Sequence, residues 1–599
     1  MIQCKKFSVL IAVVFIAGLF SAQAKEDVAG KNVKSTHANN ANKVALNCSQ
    51  TTSQTDLAIN NVRTTIQVGG DMWWDLVNPQ YEIPAGSGLH SLYAGALWIG
   101  GVDDGGQIKV AAQTYRQTGV DFWGGPINTA TVDIDPAECV KYDRHWQISK
   151  EEVAEFRDKL GTGGYVVPNA IQTWPGNGDP TKNQAQFLAP FTDINGDGFY
   201  DWTAGDHPKY DFEGGAGGNC SDFLFGDETV WWVFNDVGNV HTESNSILPL
   251  GLEIRAQGFG FKTNDEINNM TFYKYEIINR SFQSLNNTYF GQWVDPDLGN
   301  AADDYVGCDV ARGLGYCFNG DADDETVTGY GLNPPAVGVD FFQGPLADPN
   351  DGVDNDRDGE IDEVGEEIIM SKFVYYNNVN STPDGNPNGF ADFYSYLQGI
   401  WLDNQPITYG GTGRDPNAPI CDFMFPNATD PAFAGTPWTE AIAGNVPADR
   451  RFLQSAGPFT LLPGAVNYVT TGIVWARAGA GGNLASISLI QAADDKAQSL
   501  FDNCFKLVDG PDAPDLVIRE LDQTLIFTLE NTNNQFIEQY EEVDPTISTQ
   551  FFSDNKFRFE GFQIYQLASD LVTINEQSIA DPDQIRLLAQ VDLDNNIGK

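Results

Sequence analysis

The stretch MTFYKYEIINR, residues 270–280, alternates its side chains in a way that indicates the fold class. Tyr273, Tyr275 and Ile277 fall on one face of an extended chain, and the two charged residues between them fall on the other. This period of two is the pattern of a half-buried β-strand. We therefore predict a strand here, with its aromatic face towards a core.

Similar short runs recur between turns that are rich in glycine and aspartate. Two clear examples are ETVWWVFND (228–236) and AVNYVTTGIVWAR (465–477). Many short strands separated by such turns are typical of β-sandwiches and not of a wound α/β sheet. The sequence therefore predicts a mainly β, multidomain β-sandwich architecture.

Helical patterns are few. SKEEVAEFRDKL (149–160) begins with Ser149 and Glu152 at the spacing of a capping box. NLASISLIQAADDKAQSLFDNCFK (483–506) carries one apolar stripe, so we expect that helix to pack on a sheet.

Composition divides the chain into five predicted segments. Lys5 and Lys6, an apolar stretch at 7–20 and the small-residue site at 22–24 have the order of a secretory signal. No later run reaches the roughly 18 apolar residues of a membrane span, so we expect an exported chain without one. The predicted segments are a signal peptide (1–24), a flexible leader (25–56), an N-terminal β-rich domain with a calcium loop (57–250), a second β-rich domain with a calcium loop and a C-terminal helix (251–509), and a C-terminal domain (510–599).

The charge balance limits the classes of binding partner that the surface favours. The chain has 82 acidic and 34 basic residues, a formal net charge of −48. Such a surface repels nucleic acid and anionic lipid and attracts divalent cations. A highly hydrated surface without bound cations is the alternative.

Cysteines are scattered along the chain and form no CxxC pair, which argues against a structural zinc site. Seven remain after the predicted signal, so at least one thiol stays free or pairs outside the chain. Export permits disulfides, and Cys308 and Cys317 are near enough in sequence to close a hairpin.

The most specific motif is DGVDNDRDGEIDE, residues 351–363. Counted from Asp354, acidic residues occupy positions 1, 3, 5 and 9, and Gly359 occupies position 6. In a calcium loop, alternate side chains point their oxygens inward, glycine permits the sharp bend, and the carbonyl at position 7 adds a ligand. The predicted ligands are Asp354, Asp356, Asp358, Glu360 (carbonyl) and Asp362.

DINGDGFYD, residues 193–201, repeats this spacing with Gly198 at position 6. Position 12 is Ala204 in this loop and Gly365 in the other, so neither has the glutamate of an EF-hand. The alternative for both is a solvated Asp-Gly turn between strands. The predicted ligands here are Asp193, Asn195, Asp197, Phe199 (carbonyl) and Asp201.

A looser acidic group has no fixed loop spacing, so strand-end turns are the preferred interpretation and calcium is the alternative. Its members are Asp295, Asp297, Asp303, Asp304, Asp309, Asp321 and Asp323.

No reaction is indicated by the motifs. None of the five histidines lies in HExxH, and no GxSxG is present. The doublets Trp73-Trp74 and Trp231-Trp232 could stack on sugars, or place one ring in the core and one at its rim. We predict a calcium-stabilised structural or adhesive protein without evident catalysis. A secreted hydrolase or carbohydrate-binding protein acting on polysaccharide is the alternative.

Three resemblances add to these predictions. The two DxDxDG-type loops are similar to those of thrombospondin type 3 repeats and dockerins. Segment 510–531, GPDAPDLVIRELDQTLIFTLEN, and segment 557–567, FRFEGFQIYQL, resemble the opening of a fibronectin type III module. Phe527 stands nearest to the usual tryptophan, and the module would be incomplete at Lys599.

Long stretches resemble large secreted and cell-surface proteins of the Bacteroidota, such as cargo of the type IX secretion route. They include GGDMWWDL (69–76), SLYAGALWIGGVDDGGQIKVAAQTYRQ (91–117), ADDYVGCDV (302–310), NPPAVGVDFFQGPLADP (333–349) and GPFTLLPGAVNYVTTGIVWARA (457–478). The resemblance implies an extracellular or outer-surface location, with glycans or other surface proteins as partners. It also implies a C-terminal sorting domain, which QVDLDNNIGK (590–599) does not match.

Cleavage after Ala24 is the first testable expectation. We expect N-terminal sequencing of the protein purified from the culture medium or cell surface to begin at Lys25, because a small residue stands at each recognition position of the site. A mature protein that begins at Met1 would contradict export.

Overall fold

The computed structural model describes residues 48–209, 226–263, 265–505, 515–522, 524–530, 540–543, 556–568 and 585–593. The predicted signal peptide lies outside these residues. The described chain is mainly β, with antiparallel sheets and few helices, which confirms the predicted fold class. Among the described residues, no helix is both long enough and apolar enough to cross a membrane.

The strands follow the short runs predicted from the sequence. In chain order they are β1 (Gln54–Leu57), β2 (Arg63–Gln67), β3 (Asp71–Met72), β4 (Tyr81–Glu82), β5 (His90–Leu92), β6 (Ala94–Asp103), β7 (Ile108–Ala112), β8 (Trp123–Gly124), β9 (Trp146–Ser149), β10 (Phe191–Thr192), β11 (His207–Pro208), β12 (Glu228–Asn235), β13 (Leu252–Gly260), β14 (Thr271–Asn279), β15 (Leu285–Asp295), β16 (Asp304–Asp309), β17 (Leu314–Asn319), β18 (Asp323–Asp324), β19 (Gly331–Leu332), β20 (Ala336–Gln343), β21 (Lys372–Asn377), β22 (Arg450–Leu461), β23 (Val466–Ala476), β24 (Asp515–Leu521), β25 (Thr524–Glu530), β26 (Glu541–Val543), β27 (Lys556–Arg558), β28 (Gly561–Leu567) and β29 (Ile585–Asp592).

The α-helices are short except for the last. They are α1 (Pro136–Lys141), α2 (Lys150–Lys159), α3 (Asn169–Gln172), α4 (Phe390–Leu397), α5 (Glu440–Ala443) and α6 (Asn483–Asp502). Ser149 and Glu152 form the predicted capping box at the start of α2. Single 3-10 turns occur at Pro180–Lys182, Trp202–Ala204, Glu266–Asn269, Ala301–Asp303 and Pro431–Phe433.

Two large antiparallel sheets contain most of the strands. Sheet I has ten strands in the order β21-β22-β15-β6-β3-β2-β4-β5, with β1 beside β2 and β7 beside β6. Sheet II has nine in the order β16-β17-β20-β23-β14-β13-β12-β8, with β9 beside β12. Both sheets take strands from either side of residue 250, so the predicted boundary at 250/251 does not separate them.

An aromatic core fills the space between the two sheets. Tyr273 and Tyr275 face it from β14 as the sequence pattern predicted. The indole nitrogen of Trp73 in sheet I donates to the Tyr273 hydroxyl at 3.1 Å. The rings of Tyr275 and Phe290, which belong to opposite sheets, have centroids 5.9 Å apart. These contacts make the pair of sheets a sandwich.

Two short connections cross from sheet II to sheet I and back near the middle of the sandwich. Residues 280–284 join β14 to β15, and residues 462–465 join β22 to β23. Because β14 pairs with β23 and β15 pairs with β22, the two connections lie side by side.

Asn279 holds these connections together. Its side chain is fully buried. Nδ2 donates to the carbonyls of Leu461 (2.8 Å) and Gln283 (2.9 Å). Oδ1 accepts from the backbone N–H of Ser281 (2.9 Å) and from its hydroxyl (2.7 Å). All the hydrogen-bonding capacity of this buried amide is therefore used.

The outer face of sheet II is covered at two places. Helix α6 packs there through Ile490, Ala493, Ala497 and Leu500 of its predicted stripe. Leu489 of the same stripe is 44% exposed and lies outside the contact. The segment that contains α2 covers the other place, around Trp231.

Part of the predicted flexible leader is ordered. Cys48 forms a disulfide with Cys139, and β1 pairs with β2. Residues 48–56 are thereby fixed to the sandwich, because a covalent bond and a strand pairing hold them at both ends.

The suggested Cys308–Cys317 disulfide does not form. Both thiols are buried and free, as is that of Cys421. Cys308 lies opposite Gly315 and Cys317 lies opposite Val306 on the paired strands β16 and β17, so the two thiols are out of register. Cys504 is disulfide-bonded.

The C-terminal strands form three antiparallel pairs, β24–β25, β26–β27 and β28–β29. Segment 557–567 contains the end of β27 and the whole of β28. The predicted boundary at 510 lies outside the described residues, and the fibronectin type III-like arrangement stays a prediction.

Replacing Asn279 tests the junction between the sheets. We expect Asn279→Ala to lower the free energy of unfolding by about 2–3 kcal/mol, because the buried carbonyl of Leu461 and the part-buried carbonyl of Gln283 lose their donor. Asn286→Ala is the matched control, since Asn286 is half-buried and donates one long bond, 3.4 Å, to Val102. Urea unfolding that shows the same loss for both variants would contradict the role of Asn279.

Candidate metal sites

The longer acidic motif lies in a loop, residues 347–366, whose ends are held side by side. The Ala347 N–H donates to the Glu366 carbonyl at 2.9 Å. One residue pair further out, the Ile368 N–H donates to the Pro345 carbonyl at 2.8 Å. The acidic loop therefore leaves and re-enters the sandwich at one point.

Arg357 anchors the middle of the acidic loop to the sandwich. Its guanidinium donates to the carbonyls of Val310 (3.1 Å) and Met370 (2.8 Å) and lies 5.3 Å from the Phe423 ring centroid. Arg357 stands between the predicted ligands Asp356 and Asp358. Its side chain binds the sandwich and not the ligand group, and this fixes the turn.

Three of the predicted ligands converge. Asp354, Asp356 and Asp358 each place a carboxylate oxygen within 4.8 Å of the others. Gly359 has φ +101°, and its N–H donates to Asp354 Oδ2 at 3.2 Å. Asp354 Oδ1 is buried without a hydrogen-bond partner. The Glu360 N–H donates to Asp358 at 2.8 Å, which continues the same turn.

Asp362, the predicted ligand at position 9, does not join this group. Its Oδ1 accepts from the Gly352 N–H at 3.0 Å. Its backbone has φ +59°, in the left-handed region. Asp362 stays apart from the ligand group because its carboxylate binds Gly352, near the start of the acidic loop.

Two glutamates that the sequence analysis missed approach instead. Asp356, Glu363 and Glu366 also form a three-acid group within 4.8 Å. Glu363 Oε2 is buried without a partner. A backbone hydrogen bond lowers the Glu363 pKa, but burial and the charges of Glu366 and Asp356 outweigh it, so that pKa is raised. The sequence signal that could have identified them is the acidic run at 362–367. The spacing rule stops at position 9, before Glu363 and Glu366.

The 193–201 loop has a different arrangement. The Asp193 carboxylate accepts from the N–H groups of Gly196 (2.7 Å), Gly198 (2.7 Å) and Asp197 (3.3 Å). These bonds, that of Gly198 first, lower the pKa of Asp193. Asn195 Nδ2 donates to Asp197 Oδ2 at 3.0 Å, so three of the predicted ligands, Asp193, Asn195 and Asp197, form one tight turn.

Asp201 faces the next turn. Its Oδ1 accepts from the Thr203 N–H at 2.9 Å and caps a 3-10 helix. The Phe199 N–H donates to Asp197 at 2.8 Å, and the Phe199 side chain is exposed. Asp206, fully buried and missed by sequence reasoning, accepts from the N–H groups of Ile194 and Asp201 at 2.8 Å each. Within residues 193–209, all of which are described, no three-acid group forms.

The looser acidic group does not form a single site. Asp295 and Asp297 come together with Asp449, but Arg451 pairs with Asp295 at 3.2 Å and with Asp449 at 2.8 Å. Arg451 thus supplies the positive charge that a metal would otherwise bring. Asp321 accepts from the Asp323 N–H at 2.9 Å in an ordinary turn.

A pair of buried carboxyls lies between sheet II and α6. Asp340 is fully buried, and neither of its carboxylate oxygens has a hydrogen-bond partner among the described residues. Asp494 of α6 is 2% exposed, and its Oδ1 is likewise unpartnered. Burial raises the pKa of both carboxyls well above its ordinary value, and Asp340 adds to the rise at Asp494. Arg312, which lies near both, pairs with Asp309 and Asp495.

All four doublet tryptophans are at most 1% exposed. Both predicted alternatives, rings that stack on sugars and one ring of each doublet at the rim of the core, are therefore wrong for these four residues.

The donor set of the acidic loop suits a hard cation. Five carboxylates lie in two overlapping three-acid groups that share Asp356, and the described loop contains one positive charge, Arg357, turned away from them. Ca²⁺ takes six to eight oxygen ligands at about 2.3–2.6 Å, and carboxylates are its preferred ligands.

Comparison with known protein families and with curated protein sequences gives no match.

Asp340 gives a test of pH dependence. A carboxyl whose folded pKa is raised imposes no penalty below its unfolded pKa of about 3.9, and the penalty grows as pH rises towards the folded pKa. We therefore expect Asp340→Asn to stabilise the protein by about 1–2 kcal/mol at pH 7 and to have no effect near pH 3.5. Thermal melting at both pH values measures this.

Asp415→Asn is the control for that experiment, because Asp415 is exposed in a loop. Its effect should stay within about 0.5 kcal/mol at both pH values. An Asp340→Asn effect that does not change with pH would show that the carboxyl does not titrate in this range.

Proposed function

We propose that this chain is an exported structural or adhesive protein of the cell exterior, stabilised by calcium. The observation that carries the proposal is the convergence of Asp354, Asp356 and Asp358 in a loop whose ends are fixed. Ca²⁺ is the proposed cofactor.

The acidic loop supports calcium as a structural element. It places five carboxylates close together, and like charges about 4 Å apart repel by about 4 kcal/mol per pair at an effective dielectric of 20. A divalent cation reverses the sign of this interaction. Its binding to the folded state alone adds about 2.7 kcal/mol of stability at 100 times the dissociation constant.

Asp354, Asp356 and Asp358 would hold the ion, with Glu363 and Glu366 as the ligands nearest to the second group. Asp193, Asn195 and Asp197 would hold an ion in the shorter loop, where Asp193 is already oriented by three N–H groups. The calcium would order irregular chain that has little apolar surface to bury.

An exterior location has two supports. The Cys48–Cys139 disulfide is of the kind that persists in oxidising compartments. The sequence resemblance to surface proteins of the Bacteroidota is the second. Other surface proteins or glycans are the proposed partners.

Calcium removal tests the proposal. We expect a chelator to lower the melting temperature relative to excess calcium and to expose 347–366 to protease, because the carboxylates then repel each other. Asp358→Ala should reproduce the local proteolysis and reduce the calcium effect. Magnesium should substitute poorly, because it requires stricter octahedral geometry and keeps its waters.

Asp415→Ala is the matched control. Asp358 and Asp415 are both exposed, and each accepts a hydrogen bond from the N–H two residues later. The control variant should retain the full response to calcium. Equal melting temperatures and cleavage patterns with calcium and with chelator would leave the acidic loop a solvated turn.

A further inference from the structure

A cavity of about 440 Å³ lies on the outer face of sheet II. It occupies the part of that face between the cover formed by α6 and the cover that contains α2. Trp231, which is 1% exposed, lies beneath its floor, and Phe187 and Phe191 form one wall. Volumes of about 300–1,000 Å³ are typical of small-molecule sites.

The floor is built from two neighbouring rows of side chains. Gln257 on β13 lies opposite Lys274 on β14. In the next row, Arg255 lies opposite Glu276, which in turn lies opposite Tyr468 on β23. The central strands of the sandwich therefore position every polar group of the floor.

Gln257 needs a partner that none of the described residues supplies. The residue is 4% exposed, and its Oε1 is buried without a hydrogen bond. A buried amide oxygen that stays unpaired costs about 1–3 kcal/mol. A ligand that offers an O–H or N–H donor at this point of the cavity would recover that cost.

The charges of the lining favour a neutral ligand. Lys209, Arg255 and Lys274 oppose a cation, whereas Glu276 and Asp193 oppose an anion. The Arg255 charge is compensated by Glu253 at 2.9 Å and by Glu276 at 3.2 Å. The Lys274 ammonium lies 5.0 Å from the Tyr468 ring centroid. No single sign of charge therefore dominates.

Donors and acceptors alternate across the floor, with the Lys274 ammonium beside the Gln257 amide and the Glu276 carboxylate. A hydroxyl group is both donor and acceptor, so neighbouring hydroxyls match such a surface. Phe187 is 52% exposed at the rim and offers a face for an apolar ring. Polar floor and aromatic rim together fit a ring that carries hydroxyls.

We propose that this cavity binds a neutral saccharide, with its hydroxyls on Gln257 and Lys274 and one ring face against Phe187. The site goes beyond calcium stabilisation and does not depend on it, although Asp193 and Gly198 of the shorter loop belong to its rim.

The test uses the full chain in calcium-containing buffer with millimolar neutral mono- and oligosaccharides, acidic saccharides and free amino acids. Saturation-transfer NMR detects the bound class, and calorimetric titration measures the affinity of the best neutral sugar. We expect Phe187→Ala to weaken that affinity about tenfold, and Gln257→Leu to weaken it at least as much. Phe282→Ala is the matched control, since Phe282 is 71% exposed and lies outside the cavity.

Binding of neutral sugars that Phe187→Ala weakens and Phe282→Ala leaves unchanged would support the site. Thermal melting of each variant separates loss of binding from loss of folding. Binding of acidic saccharides or amino acids alone, the absence of any binding, or equal affinities in all three variants would overturn the proposal. A calcium effect on melting without sugar binding would leave the proposed calcium role standing and remove this site alone.

Discussion

The buried amide of Asn279 lies where the chain passes between the two sheets. Two short connections, 280–284 and 462–465, run side by side here, and none of their residues is buried. The Asn279 side chain satisfies the carbonyl of Leu461 at the end of β22, the carbonyl of Gln283 and the N–H of Ser281. The central strands β14, β15, β22 and β23 meet there, so the pairing of both sheets depends on it. The aromatic core, the acidic loop and the cavity are all positioned relative to these four strands.

Local patterns predicted much of this fold. The alternation in 270–280 identified β14 and its buried face, and the Ser149–Glu152 spacing identified the start of α2. Pairing between distant strands has no local signal, which is why the division at residue 250 was drawn between segments that share two sheets. Burial of a side chain by distant parts of the chain likewise has no local sequence signal. All four tryptophans of the two doublets proved to be core residues. Trp231 and Trp232 lie on opposite sides of β12, which is covered on both faces, whereas Trp73 and Trp74 follow β3 and belong to the core between the sheets.

The acidic loop shows where spacing rules succeed and fail. Positions 1, 3 and 5 were brought together as predicted, because a tight turn with glycine at position 6 orients alternate side chains inward. After position 6 the path of the chain is set by the attachment of Arg357 and by the paired ends of the loop. This path brings Glu363 and Glu366, and not Asp362, close to Asp356. The shorter loop is held by different anchors, Asn177 and the buried Asp206, and its Asp201 caps a helix instead. Tertiary attachment of the loop, which sequence spacing does not encode, therefore selects the later carboxylates.

The position of β22 and β23 in the chain has a consequence for the order of folding. Without β23, sheet II consists of two separate blocks, β16-β17-β20 and β14-β13-β12, and without β22 the strand β15 is an open edge of sheet I. Sheet I cannot close before residue 461 has left the ribosome, and sheet II cannot close before residue 476 has done so. Until then the chain presents long unpaired edges, which are prone to association with other chains. A nascent chain that stops short of β22 is therefore an aggregation-prone half-sandwich.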